Sequence, residues 1–198
     1  MSQVQPTTDI NHEIVIALGA NQTSSLGKPK ETLQAACAHL SNRIGSPIRK
    51  SRFYKTPAFP PGAGPDFVNA AVAFETDMTP SQILAICHDI EKLAGRTREV
   101  RWGQRTLDLD LIAFNGCVLP DPEVHQRWRD LPFADQSTQT PDELIVPHPR
   151  VQDRAFVLVP MMDVAPDWRH PILGRTTAEM LDARSAAEKA EIHRMDAA

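Results

Sequence analysis

The order in which strand and helix patterns follow one another constrains the fold of this chain more than any other feature. Four short runs rich in β-branched and apolar residues predict strands, at residues 14–18, 48–54, 67–76 and 107–114. Apolar residues recurring every three to four positions predict one helix beginning at Pro29 and another at Pro80. Prolines and glycines at 58–65 predict a loop between the second and third strands. The resulting order β-α-β-β-α-β predicts an α+β, ferredoxin-like fold, whose mainly antiparallel sheet carries both helices on one face and leaves the other for a site.

Capping signals support these boundaries and add a C-terminal element. Thr79 followed by Pro80 and Gln82 is a capping box that starts the second helix. Thr176 with Glu179 three residues later predicts a further helix beyond the β-α-β-β-α-β core.

The chain length predicts a single domain. At 198 residues the chain has the size of one ordinary domain, and no linker interrupts it. Residues 1–12 have the composition of a loose tail, and the Ala-rich residues 186–198 predict a frayed end. Residues 118–143 are longer than a structureless connection usually is, which predicts a lid, an insertion or disorder.

Charge and composition exclude several classes of protein. The net charge of −4 argues against a nucleic-acid partner, since such proteins are normally strongly basic. Three cysteines without a C-x-x-C spacing indicate neither a disulfide framework nor a zinc site. No apolar run approaches the roughly 18 residues of a membrane span, and residues 1–12 lack the features of a signal peptide. We therefore expect a cytoplasmic protein without a membrane partner.

Two aspartates in an apolar strand are the sharpest chemical signal. Alternation along a strand puts Asp108 and Asp110 on one face, with Cα atoms about 6.5–7 Å apart. Two ionised carboxylates on a half-buried face repel each other unless a cation lies between them, and oxygen-only ligands favour Mg²⁺. The same pattern is also typical of an exposed strand end with two solvated carboxylates.

Arginines cluster immediately before this strand. Arg96, Arg98, Arg101 and Arg105 flank Trp102, and guanidinium groups beside a carboxylate pair suit a metal-bound polyphosphate. A solvated loop whose arginines pair with local acids is the alternative. The chain has no Walker loop, so it is not a P-loop enzyme.

Two further groups of residues could contact a ligand. His148 and Arg154 carry polar side chains in the segment after the insertion, although a lone His following Pro is often only a surface or core residue. Phe67 and Asn69 share one strand face, where a ring and an amide could bind a planar heterocycle. An edge aromatic beside a turn-directed Asn explains the same spacing.

Taken together, these blocks resemble the 6-hydroxymethyl-7,8-dihydropterin pyrophosphokinase family. Residues 101–111, RWGQRTLDLDL, resemble the family signature. Four further blocks follow the family order, at residues 19–21, 53–57, 65–72 and 146–148. The resemblance extends over roughly residues 14–166 and is specific, because it consists of ordered blocks rather than one short pattern.

The resemblance implies an enzyme of folate biosynthesis. It would transfer the β,γ-pyrophosphoryl group of ATP to the hydroxymethyl oxygen of the reduced pterin and release AMP. Asp108 and Asp110 would hold two Mg²⁺ ions, Arg96 and Arg105 would contact the phosphates, and Trp102 would help to close the site.

The resemblance also assigns residues to each substrate. Those expected at the pterin are Thr56, Pro57, Phe59, Phe67, Asn69, Trp102 and Phe156. Those expected at ATP are His88, Glu91, Arg98, Leu111, Ile145, His148 and Arg154. His88 and Ile145 stand where family members often have Gln and Thr.

Two other functions fit part of the same pattern. A metal-dependent phosphohydrolase would use the same carboxylates but release inorganic phosphate rather than AMP. A non-catalytic ferredoxin-like nucleic-acid-binding module would use the open sheet face, although only 6% of the residues are aromatic. We expect a monomer, with a dimer left open.

Overall fold

An antiparallel sheet of six strands forms the centre of the protein. The computed structural model describes residues 12–58, 62, 64–95, 106–132, 135 and 139–195, so all but the last residue of the predicted N-terminal tail lies outside the described residues. The strands are β1 His12–Ala20, β2 Arg49–Lys50, β3 Tyr54–Thr56, β4 Phe67–Thr76, β5 Asp108–Phe114 and β6 His193–Arg194. Their order along the sheet is β5-β1-β4-β3-β6, with β2 also paired to β4, and every pair is antiparallel.

Helices connect the strands and continue the chain after β5. They are α1 Pro29–Ile44, α2 Pro80–Leu93, α3 Pro122–Arg129, α4 Ala155–Met161, α5 Thr177–Asp182 and α6 Ala186–Ala190, with a 3₁₀ turn at Val151–Asp153. Helix α1 joins β1 to β2, and α2 joins β4 to β5. None of the helices in the described ranges combines the length and the apolar character needed to cross a lipid bilayer.

The predicted capping signals are confirmed. The Thr79 hydroxyl accepts the backbone N–H of Gln82, and the Gln82 side chain accepts that of Thr79 in return. Thr176 and Glu179 form the same reciprocal pair at the start of α5. Local sequence therefore determines where these helices begin.

The predicted strand over 48–54 is wrong, because it is broken into β2 and β3. At Ser51 the hydroxyl accepts the backbone N–H of Ala71 at 2.8 Å and so replaces a regular backbone partner. The next N–H, that of Arg52, donates to the carboxylate of Asp163 at 3.0 Å instead of to a strand. These side-chain acceptors end β2 and displace the backbone before β3 begins.

The two segments without predicted regular structure contain some. Within residues 118–143, Asp121 caps α3 by accepting the N–H of Val124 at 2.9 Å. After Ser185, for which the sequence predicts a frayed end, the chain forms α6 and then β6, which pairs with β3. Ser185 begins α6 through a capping box with Glu188, which gives this short helix a defined start.

The sheet has a hydrophobic core on each face. On one face, Ile14, Ile16 and Leu18 of β1 pack with residues of α1 and α2. On the other face, Ala17 and other small residues of the strands pack against α4 and Trp168. The sequence leaves this second face open for a site, whereas α4 covers its middle. Part of that face is therefore covered in the described residues, which corrects the expectation of an open face.

The three cysteines do not provide a reactive thiol on this face. All are free, and Cys37 and Cys87 are buried. Burial raises the pKa of the Cys87 thiol to about 12, with Glu91 and Asp110 adding to the effect. The thiol therefore stays protonated near neutral pH.

Two histidines are completely buried next to the second core. His125 of α3 and His170 have no exposed surface, and their ring centroids lie 5.7 Å apart. Burial lowers the pKa of His170 to about 4, and the nearby His125 and Arg129 act in the same direction. The pKa of His125 is also lowered, first by burial and then by Arg129, against the opposing effects of Pro147 and Asp130.

These shifted pKa values predict a pH-dependent stability. Between pH 6.5 and about 4, His170 is protonated in the unfolded chain but neutral in the folded protein, so falling pH favours unfolding. His170→Asn removes this titration and keeps an acceptor for the N–H groups of Ile172 and Leu173. From pH 7 to pH 4, the stability advantage of wild type over this variant should shrink by on the order of 2–3 kcal/mol in urea unfolding. A constant difference between the two proteins across this range would contradict the prediction.

Candidate active site

The two aspartates of the edge strand lie at the uncovered end of the second face. In the register of β1 and β5, Asp110 is opposite Ala17 and Asp108 is opposite Gly19. Both aspartates are half-buried, while Leu109 between them is buried in the core formed with α1 and α2. The alternation of the strand thus puts both carboxylates on one face, as the sequence predicts.

A third carboxylate fixes the backbone between the two aspartates. Glu91 of α2 is only 4% exposed, and its Oε1 accepts the N–H of Leu109 at 2.8 Å. Because β5 is the first strand of the sheet, this N–H has no neighbouring strand on its outer side. A buried carboxylate is costly unless it is hydrogen-bonded, and this contact connects α2 to the strand that carries the acid pair.

A cleft of about 170 Å³ opens along this edge. Its walls are formed by Leu84, His88, Glu91, Asp108, Leu109, Asp110, Leu111, Leu144, Ile145 and His148. It therefore brings together the acid pair and five of the seven residues that the sequence assigns to ATP. Of the remaining two, Arg98 lies outside the described residues, and Arg154 lies at the margin of the cleft.

Hydrogen bonds to the backbone and to a ring nitrogen hold His148 in place. Its N–H donates to the carbonyl oxygen of Ile112 at 2.9 Å, and its Nδ1 accepts the N–H of Arg150 at 3.1 Å. The desolvation of the imidazole and the neighbouring Arg154 lower the pKa of His148 well below its usual value. The ring is therefore neutral at physiological pH.

Arg154 connects the acid pair, the histidine and an exposed aromatic ring. Its Nη1 lies 3.3 Å from Nε2 of His148 and 3.7 Å from Oδ2 of Asp110. Its guanidinium carbon lies 5.9 Å from the ring centroid of Phe156, which is 41% exposed. A guanidinium in this position can contact an anionic ligand bound next to the aspartates.

A buried amide lies on the other side of Gly19. In β4, Asn69 is opposite Gly19, and its Nδ2 donates to Oγ1 of Thr56 at 2.8 Å. Both side chains are buried, and Phe67 of the same strand face is half-buried. Asn69 and Asp108 are each one strand away from Gly19, so their backbones are roughly 10 Å apart across the sheet.

Gly19 leaves room for this amide. A Cβ atom at Gly19 would lie 3.3 Å from Oδ1 of Asn69 and 4.0 Å from Cδ1 of Phe67. The first distance is tighter than nine in ten real contacts of this kind, so only glycine fits here without displacement. The sequence block 19–21 contains this residue, but nothing local to it reveals the role.

The structure also contains a support for β3 that the sequence does not indicate. Asp163 accepts hydrogen bonds from the hydroxyl of Tyr54 at 2.9 Å and from Nε of Arg52 at 3.0 Å. Burial acts to raise the pKa of Asp163, but the hydrogen bonds from Arg52 outweigh it and lower the pKa. Asp163 thereby holds the strand that ends in Thr56, and no local pattern predicts a contact 109 residues away along the chain.

The structure describes some of the predicted site residues and not others. Pro57 is exposed at the end of β3, next to buried Thr56. Five predicted residues lie outside the described residues, namely Phe59, Arg96, Arg98, Trp102 and Arg105. The described ones form two groups, one along β5 around the cleft and one around Asn69, on either side of Gly19.

Comparison with known proteins identifies the family. A model of the 7,8-dihydro-6-hydroxymethylpterin-pyrophosphokinase (HPPK) family matches residues 15–166. The chain belongs to the HPPK family. The resemblance seen in the sequence is thereby confirmed, and the matched range contains every described site residue on β1, β3, β4 and β5.

Relatives from several bacteria are similar over most of this HPPK chain. A protein of Synechocystis is 34% identical over 185 residues, covering 92% of this chain and 82% of its own length. A protein of Pseudomonas aeruginosa is 36% identical over 171 residues, covering 86% of this chain and 90% of its own. Both are named 2-amino-4-hydroxy-6-hydroxymethyldihydropteridine pyrophosphokinase.

Solved structures share the fold of this HPPK chain. The HPPK-DHPS of Plasmodium falciparum with pteroate superimposes with a TM-score of 0.63 at 14% identity, covering 96% of this chain and 47% of that one. An HPPK-DHPS in complex with substrates gives a TM-score of 0.65 at 13% identity, covering 93% of this chain and 46% of that one. This chain therefore spans about half the length of those structures.

Proposed function

We propose that this protein transfers the pyrophosphoryl group of ATP to 6-hydroxymethyl-7,8-dihydropterin. The hydroxymethyl oxygen forms a bond to the β-phosphorus, the bond from that phosphorus to the oxygen bridging the α-phosphorus breaks, AMP leaves, and the hydroxyl proton is released. The observation that carries the proposal is the arrangement around Gly19. The acid pair and nucleotide cleft lie on one side of it, and the Asn69 amide lies on the other.

The oxygen atoms of Asp108 and Asp110 suit Mg²⁺. Mg²⁺ usually takes one or two carboxylates and completes its shell with water and substrate phosphates. Within the described ranges, no group of three or more His, Cys, Asp or Glu side chains forms a protein-only metal site. Two carboxylates that leave the other coordination positions to phosphate and water therefore match the ligands that Mg²⁺ prefers. The use of two ions is part of the proposal. Asp108 and Asp110 would hold the metal, which would supply positive charge against the negative charge that develops during the transfer.

The protein's own side chains supply orientation and charge. Arg154 presents its guanidinium between Asp110 and His148, where the phosphates of a nucleotide in the cleft would lie. Asn69, held by Thr56, is positioned to hydrogen-bond a planar heterocycle, and Phe67 offers a ring face beside it. Holding both substrates in this way lowers the entropic cost of the transfer.

The sequence assignments outside the described residues belong to the same proposal. Arg96 and Arg105 would contact the phosphates, Arg98 the nucleotide, and Phe59 and Trp102 the pterin.

The ferredoxin-like topology and the cellular setting are also proposed. The strand order β5-β1-β4-β3, with α1 and α2 as connections, supports the ferredoxin-like core. A cytoplasmic monomer acting on two small molecules, without nucleic-acid or membrane partners, stays a prediction of the sequence.

One assay tests the function directly. The protein is incubated with ATP, Mg²⁺ and the reduced pterin alcohol, and each component is omitted in turn. We expect AMP and the pterin pyrophosphate in equal amounts, and only when all three components are present. Release of inorganic phosphate without AMP would overturn the proposal in favour of a phosphohydrolase, and salt-dependent RNA binding without turnover would favour the nucleic-acid-binding alternative.

Gly19→Ala should weaken pterin binding selectively. The added methyl would push against Oδ1 of Asn69, and relieving such a contact by moving a well-packed side chain costs on the order of 1–2 kcal/mol. We therefore expect KM for the pterin to rise about tenfold, with little change in KM for ATP. Gly116→Ala is the control, because a Cβ there meets nothing within 4 Å. Equal effects of the two variants on pterin KM would contradict the role of Gly19.

A further inference from the structure

The segment from 118 to 143 has no part in the proposed reaction, yet its described portion is attached to the nucleotide cleft. Leu119 and Val146 exchange backbone hydrogen bonds, at 2.7 Å from the N–H of Leu119 and 3.2 Å from that of Val146. Val146 lies two residues before His148. The start of the insertion is therefore paired to the chain that leads into the cleft.

Helix α3 contacts the backbone before His148 and a side chain after it. Before it, Nε2 of His125 lies 3.0 Å from the carbonyl oxygen of Pro147. After it, Nη1 of Arg150 donates to the carbonyl oxygen of Arg129, the last residue of α3, at 3.0 Å. The helix thus contacts Pro147, directly before His148, and the side chain of Arg150, two residues after it, while His148 itself lines the cleft.

The hydrogen-bond partners determine the tautomer of each buried histidine. A carbonyl oxygen can only accept, so His125 carries its proton on Nε2 and leaves Nδ1 as an acceptor. Nδ1 of His170 faces the N–H groups of Ile172 and Leu173 at 3.2 and 3.3 Å, so this nitrogen accepts and Nε2 carries the proton.

One unsatisfied atom remains on each ring, and the two are complementary. Within the part of the chain that the structure describes, Nδ1 of His125, an acceptor, and Nε2 of His170, a donor, are buried without a hydrogen-bond partner. The rings meet edge to face, with centroids 5.7 Å apart and planes at 75°. A direct contact or one bridging water molecule would satisfy both atoms, and leaving both unpaired would be costly.

We propose that His125 and His170 form a buried relay of two neutral imidazoles that positions Pro147, and through it His148, for nucleotide binding. His125 is a positioning residue, because it acts through the Pro147 carbonyl and does not line the cleft. This role rests on the proposed function, since it assumes that the cleft binds ATP.

Three variants separate positioning from general stability. His125→Phe keeps a ring but removes the donor to Pro147, His125→Gln offers an amide N–H in place of Nε2–H, and Arg127→Ala changes an exposed residue of the same helix. Assayed below the melting temperature of each protein, His125→Phe should raise KM for ATP about tenfold and leave KM for the pterin unchanged. His125→Gln should recover most of this loss, and Arg127→Ala should resemble wild type. Equal changes in both KM values for His125→Phe, or no change in either, would overturn the positioning role.

Two readouts do not depend on turnover. Calorimetry with Mg²⁺ and α,β-methylene-ATP, in which the bond to be broken is blocked, should show the same weakening and the same rescue. In ¹⁵N-histidine spectra, both rings should be neutral and protonated on Nε2, and His170→Asn should shift the Nδ1 signal of His125. A wild type that makes no AMP but passes both measurements would refute the proposed reaction alone, whereas an Nδ1-protonated or charged His125 would refute the relay.

Discussion

Replacing Asp110 by alanine is expected to reduce turnover by about three orders of magnitude or more while leaving the fold intact. The carboxylate is half-buried in the cleft, and its ion-pair contact, with Arg154 at 3.7 Å, is long. The strand therefore loses little by its removal and is relieved of repulsion from Asp108. Loss of one of two metal ligands, by contrast, removes charge stabilisation in the transition state.

The measurement is the rate of AMP formation at saturating substrates, together with a thermal melt. Asp89→Ala serves as control, since it removes an equal charge from the exposed side of α2. The Mg²⁺ concentration needed for half-maximal rate should rise in Asp110→Ala and stay constant in Asp89→Ala. Near-normal turnover in Asp110→Ala would refute the metal assignment.

Arg154→Ala is expected to lower kcat/KM by about a hundredfold. Hydrogen bonds to charged groups contribute about 1.5–3 kcal/mol each, and Arg154 is placed to make such bonds to a phosphate between His148 and Asp110. Arg154→Lys should recover only part of the loss, because an ammonium group cannot replace the planar fork of donors. KM for ATP and kcat should change most. KM for the pterin should change less, through the contact of Arg154 with Phe156.

A matched arginine controls for the loss of a partly buried cation. The side chain of Arg184 is 25% exposed, against 29% for Arg154, and it pairs with Asp153 of the 3₁₀ turn and Glu188 of α6, neither of which lines the cleft. Arg184→Ala should therefore leave kcat/KM within about twofold of wild type, because its two ion pairs, each at 3.9 Å, involve no residue that lines the cleft. If the two alanine variants lost similar activity, Arg154 would have no special role at the phosphates.

Features that depend on neighbouring residues could be predicted from the sequence. The shared face of Asp108 and Asp110 follows from strand alternation, and the start of α2 follows from Thr79 and Gln82. A mainly antiparallel sheet with helical connections could also be predicted, because the order of strand and helix patterns leaves few possible topologies.

Features that depend on residues distant in the sequence could not be predicted from it. The break at Ser51 requires Ala71 and Asp163, and the covering of the second face requires α4 to pack onto Ala17. In the site, the cleft arises only when Glu91 of α2 caps Leu109 of β5. Each of these contacts joins residues on different elements, and a local pattern carries no information about its partner.

The contacts that shape the nucleotide cleft also affect how the sheet meets other molecules. At the β5 edge, the Leu109 N–H is taken by Glu91 and the Ile112 carbonyl by the N–H of His148. At the opposite edge the sheet ends in β6, only two residues long and containing a charged arginine. An intruding strand from an unfolded neighbour needs free donors and acceptors in a row, so the hydrogen bonds that shape the cleft also protect this edge of the sheet from aggregation.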